Sequence, residues 1–227
     1  MGLIAILLII LISIFILTNK KTKNRNDSKE SKSGFTTYNI LTGLVLIMAI
    51  SQGPFFYYYT FGFFGFIIGA PYVLIGLILT IILIYPLHKN KKTSNFHKKG
   101  TTIAILIGMI SLFFGSTITE KLDWKLRMNE RKSIINKIAD GEIKDYKAKM
   151  NNFPPISNGG NEIIVDKREN ENNMTVTFYI DRGFVDHYSA YIYSTDSTTI
   201  RDLEEKIEHR NNKTNKKLKD NWYRIAE

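Results

Sequence analysis

The chain has 227 residues, with 31 Lys/Arg against 21 Asp/Glu, a formal net charge of +10 and no cysteine. The excess is concentrated: residues 19–34 carry +4 and residues 88–100 carry +5, whereas residues 120–227 carry only +1. Charge confined to short loops beside apolar runs marks membrane topology and excludes a nucleic-acid footprint, and the lack of cysteine excludes disulfides, thiolate metal sites and a thiol nucleophile.

Leu3 to Thr18 is an almost unbroken Leu/Ile run followed at once by Lys20-Lys21-Thr22-Lys23-Asn24-Arg25. A signal peptide has the opposite polarity and a small-residue cleavage site, so residues 2–18 are expected to form an uncleaved first transmembrane helix. Ile6 stands where N-myristoylation would require Ser or Thr. The polar segment 19–34 then reads as a basic loop without a fold of its own.

Phe35 to Leu87 contains 53 consecutive residues without Asp, Glu, Lys or Arg. One crossing of a hydrocarbon core takes about 20 apolar residues, so this run predicts two helices, 35–52 and 62–87, joined by a turn at Gln52-Gly53-Pro54. The aromatic residues between Phe55 and Phe66 then sit at headgroup level. Residues 88–100 form the second basic loop, and a fourth helix over 101–119 returns across the membrane, with Trp124 as an interfacial anchor. The two loops offer eleven Lys/Arg, whereas the segment 120–139 offers six: Lys121, Lys125, Arg127, Arg131, Lys132 and Lys137. The positive-inside bias therefore places the loops in the cytoplasm, with the N-terminus and the C-terminal domain outside.

Residues 120–227 have the mixed pattern of a folded α+β domain. Ile118, Leu122, Leu126, Ile134, Ile135 and Ile138 recur at helical spacing, which predicts that the fourth helix runs on into the domain. Residues 151–161 are loop. Strands are expected at 162–166, 174–181 and 185–193. A three-residue turn around Arg182-Gly183-Phe184 would set Val176, Phe178 and Ile180 beside Tyr188, Ala190 and Ile192 on one apolar face. A helix over 200–209 and a hairpin, 216–219 with 222–226 about Asp220-Asn221, close the chain. The fold class is thus an α-helical integral membrane protein with four transmembrane helices and a C-terminal α+β domain containing an antiparallel sheet.

Two stripes of small residues, Gly62, Gly65, Gly69 and Gly76 on the third helix and Ala104, Gly108, Ser111 and Gly115 on the fourth, predict close packing of these two helices, because in lipid small residues let backbones approach. No Asp, Glu, Lys, Arg or His lies inside the four spans, which argues against a self-contained transporter or intramembrane enzyme. Pro71 predicts a kink. Asp186-His187-Tyr188-Ser189 contains the residue types of a hydrolase triad, but strand neighbours point to opposite faces, so no catalytic residue is assigned. His88 and His97 have no carboxylate nearby and suggest no metal site, and no cofactor motif is present. Asn173 and Asn212 match the glycosylation acceptor pattern, which a bacterial chain would leave bare. Tyr179, Tyr191, Tyr193 and Tyr223 are the candidate partner-binding face on the sheet.

The strings Thr-Phe-Tyr-Ile-Asp-Arg-Gly-Phe-Val-Asp-His-Tyr-Ser-Ala-Tyr-Ile-Tyr-Ser (177–194) and Lys-Lys-Leu-Lys-Asp-Asn-Trp-Tyr-Arg-Ile (216–225) resemble those of small uncharacterised surface or membrane proteins of Bacillus-type Gram-positive bacteria. The resemblance implies a compact sheet outside the membrane and no activity to carry over. The expected function is a non-enzymatic, multi-pass envelope protein displaying an extracytoplasmic ligand- or partner-binding domain. The alternative is an accessory or immunity-type subunit of a membrane transporter complex. The expected partners are the lipid bilayer and another membrane protein, without nucleic acid.

Overall fold

The computed structural model describes residues 29–88, 94–167, 173–183, 187–209 and 214–227. The expected first helix, most of the first basic loop, Asp186 and Asn212 lie outside the described residues. The elements are α1 (Lys29–Tyr59), α2 (Gly62–His88), α3 (Asn95–Ala139), β1 (Lys147–Lys149), β2 (Glu162–Lys167), β3 (Met174–Arg182), β4 (Tyr188–Ser194), α4 (Ser197–His209), β5 (Lys216–Lys219) and β6 (Trp222–Ala226). Three helices are long and apolar enough to cross a membrane, over Thr37–Tyr59, Gly65–Leu87 and within Asn95–Ala139. The described residues divide into two compact units: those up to Pro54 with Gly69–Ser116, and Phe55–Ile68 with Thr117–Glu227.

In the first unit α1 is the shared neighbour. Its Val45 and Leu46 form a buried cluster with Leu83 of α2 and Ala104 of α3. The small residues face α1 as well. A Cβ added to Gly115 would lie 2.8 Å from the Cα of Gly53, one on Gly108 would meet the Cβ of Ala49 at 3.7 Å, and one on Gly76 would meet the Cε of Met48 at 3.7 Å. The stripes were expected to seat the 62–87 helix on the 101–119 helix, whereas the neighbours of Gly76, Gly108 and Gly115 belong to α1. Large apolar side chains cover the outward surface, as in Ile81 (66% exposed) and Phe113 (71%). A continuous surface of this kind suits lipid and not water.

The turn expected at Gln52-Gly53-Pro54 is absent, and α1 carries Pro54 inside it. Proline removes one helical donor, and beside it the Gly53 N–H donates across to the Ser111 hydroxyl at 2.9 Å. The chain turns instead at Thr60-Phe61, where Gly62 takes a φ of +48° that suits glycine. Pro71 likewise lies inside a continuous α2.

The second unit holds a six-stranded, fully antiparallel sheet in the order β1-β2-β3-β4-β6-β5. The far half of α3 covers one face, packing Ile134, Ile135 and Ile138 with Val176, Phe178, Ile180, Tyr191 and Trp222. The amphipathic α4 covers the other, bringing Leu203, Ile200 and Ile207 to Ala190, Ile192, Tyr223 and Ile225. Asp196 caps α4, its carboxylate accepting from the Thr199 N–H at 2.9 Å, which starts the helix three residues before its expected position. Past the end of α3, Gly141 adopts φ +76°, the left-handed conformation that ends helices.

The register of β3 with β4 differs from expectation by one residue. Phe178 pairs with Tyr191 and Tyr179 with Ala190, with a bulge between Tyr179 and Asp181. Val176 and Phe178 therefore share a face with Tyr191 and Tyr193, while Ala190 and Ile192 face α4. A strand buried on both sides has no polar face, so hydrophobic alternation does not specify its register.

Gly115→Ala should lower the detergent melting temperature, at a cost of about 1–3 kcal/mol, because its Cβ would overlap backbone. Gly108→Ala, which reaches only ordinary contact distance, should melt close to wild type. Equal melting of the two variants would mean that the α1–α3 approach is not tight.

Candidate functional site

Asp123, Arg127 and Arg131 are spaced four residues apart and so share one face of α3. All three are buried. The Asp123 carboxylate accepts hydrogen bonds from the hydroxyls of Tyr57 (3.1 Å) and Tyr58 (2.8 Å) at the end of α1. It also pairs with Arg131 and, at 3.5 Å, with Arg127. Arg127 then donates to the carbonyls of Pro154 and Pro155, each at 2.7 Å, and to the Glu130 carboxylate at 2.8 Å. The Arg131 guanidinium lies 4.7 Å from the centre of the Tyr191 ring, close enough for a favourable cation–π contact. Asn158 extends the network, its amide donating to the carbonyls of Tyr57 (2.8 Å) and Thr60 (3.2 Å).

This arrangement holds the chain in place. Four donors occupy the Asp123 oxygens, and Arg127 and Arg131 balance its charge together with Glu130. Burial, and then the negative charge of Glu120, push the Tyr191 phenol upward, so it stays protonated as a donor to the Glu120 carbonyl at 3.1 Å. The network locks α3, the loop before β2 and the end of α1 into one unit.

Beyond the lock, the same helix borders an open cleft of about 270 Å³ against β4, β6 and the β5–β6 turn, lined by Lys132, Ile135, Asn136, Tyr193, Lys219, Asp220, Asn221 and Trp222. Its floor is apolar. The Trp222 ring is buried against Tyr193 at 5.2 Å and Trp124 at 5.5 Å between centroids. The turn is fixed by the Ser194 N–H, which donates to the Asn221 carbonyl at 3.0 Å, and Asn221 itself takes φ +61°. Among the described residues, the side chains of Lys132, Asn136, Lys219, Asp220 and Asn221 make no hydrogen bond or ion pair.

The tyrosines singled out in the sequence do not form one face. Tyr191 and Tyr193 lie on the α3 side of the sheet and Tyr179 and Tyr223 on the α4 side. Tyr191 and Tyr223 are core residues, 2% and 0% exposed; only Tyr193 reaches the cleft. Trp124, expected as an interfacial anchor, packs on Tyr191 at 4.8 Å inside the domain. Gly62 and Gly65 belong to this unit too, lying beside the Gly183 carbonyl and Thr60. His187 is exposed, with Nδ1 3.2 Å from the Glu227 carbonyl oxygen. His97 is buried against the Thr42 hydroxyl at 2.8 Å, and no cluster of metal-binding side chains occurs among the described residues.

Sequence reasoning missed the Asp123 network, having read Arg127 and Arg131 as charges at the membrane surface. The periodic Ile118, Leu122 and Leu126 are in turn exposed, Leu126 by 62%. The available signal was the acid–base–base spacing at 123, 127 and 131, in register with the buried Ile134, Ile135 and Ile138. No protein-family model, curated protein or solved structure matches the chain.

Asp123→Asn keeps the side chain's size but leaves the buried Arg131 guanidinium without its counter-charge, while Arg127 keeps Glu130. It should destabilise the second unit by about 3–5 kcal/mol, read from chemical unfolding in detergent. Glu130→Gln removes a carboxylate that is half exposed and should cost no more than about 1 kcal/mol.

Proposed function

We propose that this is a multi-pass cell-envelope membrane protein displaying a non-enzymatic binding domain outside the membrane, with the cleft between α3 and the sheet as its binding site. The observation that carries this reading is the cleft itself: an aromatic floor ringed by five polar side chains that no described residue engages. Small-ligand sites take this form, with an apolar body and a few placed polar groups. In the same unit the Asp123 carboxylate is fully committed to Tyr57, Tyr58, Arg127 and Arg131, which supports binding over catalysis.

The orientation rests on charge. Eleven Lys/Arg lie in the loops 19–34 and 88–100. Of the six cations at 120–139, Arg127 and Arg131 are buried in ion pairs, so four remain to compete for the cytoplasmic side. A second reading, an accessory subunit of a membrane transporter complex, draws on one observation. The helices α1, α2 and α3 border an apolar groove of about 160 Å³ that includes Ala49, Gly76, Ala104 and Gly108, a small-residue surface on which a partner's helix can seat.

Single cysteines at two exposed positions test the orientation. In intact cells an impermeant thiol reagent should label Ser197→Cys, at the start of α4, and should reach Asn95→Cys, at the start of α3, only after permeabilisation. The opposite pattern would place the domain in the cytoplasm.

A further inference from the structure

The chemistry of the cleft narrows what it binds, and this step rests on reading the cleft as a binding site. Its size comes first: about 270 Å³ falls at or below the lower end of small-molecule pockets, which run from roughly 300 to 1,000 Å³. One ring, or two at most, fits; a folded partner or a long polymer segment does not.

The lining selects the kind of ring. Asn136 and Asn221 carry carboxamides that both donate and accept, a match for hydroxyl groups, which also do both. Lys132 and Lys219 are donors only. Three cations of the same sheet have partners: Lys217 pairs with Glu204 at 2.8 Å, Arg224 with Glu120 at 2.9 Å, and Lys167 donates to the carbonyls ending α3 at 3.1 and 3.2 Å. Among the described residues Lys132 and Lys219 have none, and Asp220 is a further lining residue. A neutral hydroxylated ring would satisfy the carboxamides and leave the two ammoniums unused, whereas an anionic one would use both. The half-buried Tyr193 ring, tilted on Trp222 at 56° between planes, offers an apolar face to the C–H side of a sugar ring.

We propose that the cleft binds an acidic saccharide unit, a pyranose bearing a carboxylate or a phosphate, with Lys132 and Lys219 on the anion, Asn136 and Asn221 on the hydroxyls and Tyr193 beneath the ring. Such a unit occurs free or as the end of an envelope polymer, and the two sources share this chemistry.

The test is titration of the full chain in detergent micelles, followed by calorimetry and by the fluorescence of Trp222, which lines the cleft. The probes are glucuronic acid, glucose 6-phosphate, a galacturonic acid oligomer, glucose, inorganic phosphate and tetraglutamate. The expected result is saturable binding of glucuronic acid and glucose 6-phosphate about tenfold or more tighter than of glucose or inorganic phosphate. Tighter binding of the oligomer than of the single units would identify a polymer end as the source, and equal binding a free sugar; both support the proposal. Lys132→Gln with Lys219→Gln should remove that preference at an unchanged melting temperature, since both side chains are exposed and unpaired. Equal affinity for glucose and glucuronic acid would overturn the proposal. So would inorganic phosphate binding as tightly as glucose 6-phosphate, or a preference that survives the double variant. Binding of tetraglutamate in place of the sugars, lost in the double variant, would overturn the saccharide assignment while leaving the cleft as a binding site. Failure of every probe to bind would remove both.

Discussion

The second unit depends on one buried carboxylate. An unpaired charge in a protein interior is costly enough that the surroundings must supply counter-charge and hydrogen bonds. Asp123 receives all of these from four side chains on two separate stretches, two tyrosines near residue 57 and two arginines one and two turns along its own helix. Because a guanidinium offers five donors in a fixed fork, Arg127 can pair with Asp123 and still hold the Pro154-Pro155 carbonyls. The position of the loop before β2 follows from that reach, and so does the face that α3 turns to the sheet. A greasy helix in the same place could have rotated or slid, whereas a hydrogen-bonded charge triad fixes both rotation and register.

The elements were legible wherever a single physical signal dominated. The hairpin of β5 and β6 has the bounds that its pattern predicts, because both strands flank a two-residue turn with Asn221 in the left-handed region. The continuation of the fourth apolar helix into the domain was legible in the same way, since nothing between Thr119 and Ala139 breaks a helix. The expected turn at Gln52-Gly53-Pro54 was not, because a packed helix can carry a proline, and here the neighbouring helix takes up the N–H beside it, Gly53 donating to the Ser111 hydroxyl. A partner 58 residues away leaves no local trace.

The candidate site was legible only in fragments, for a related reason. Tyr193 was singled out as a strand aromatic, but its fellows divide between the two faces once β4 is known to be covered on both sides. Lys132 and Asn136 belong to a helix, and Lys219, Asp220 and Asn221 to a turn more than 80 residues later. Their meeting is a product of sheet order, in which β6 sits next to β4. The glycine stripes show the same limit: small residues announced a close approach, but the identity of the approaching helix is a property of the assembled bundle.

The two strands at the sheet's margins, β1 and β5, are three and four residues long, and both are rich in lysine: Lys147 and Lys149 on one, Lys216, Lys217 and Lys219 on the other. An unpaired strand edge is a template for the next molecule, and short length with lysine is how natural sheets close it off. For a domain tethered to a surface this protection matters more than for one free in solution. Confinement to two dimensions raises the frequency with which identical edges meet. Charged margins of this kind keep such edges from pairing.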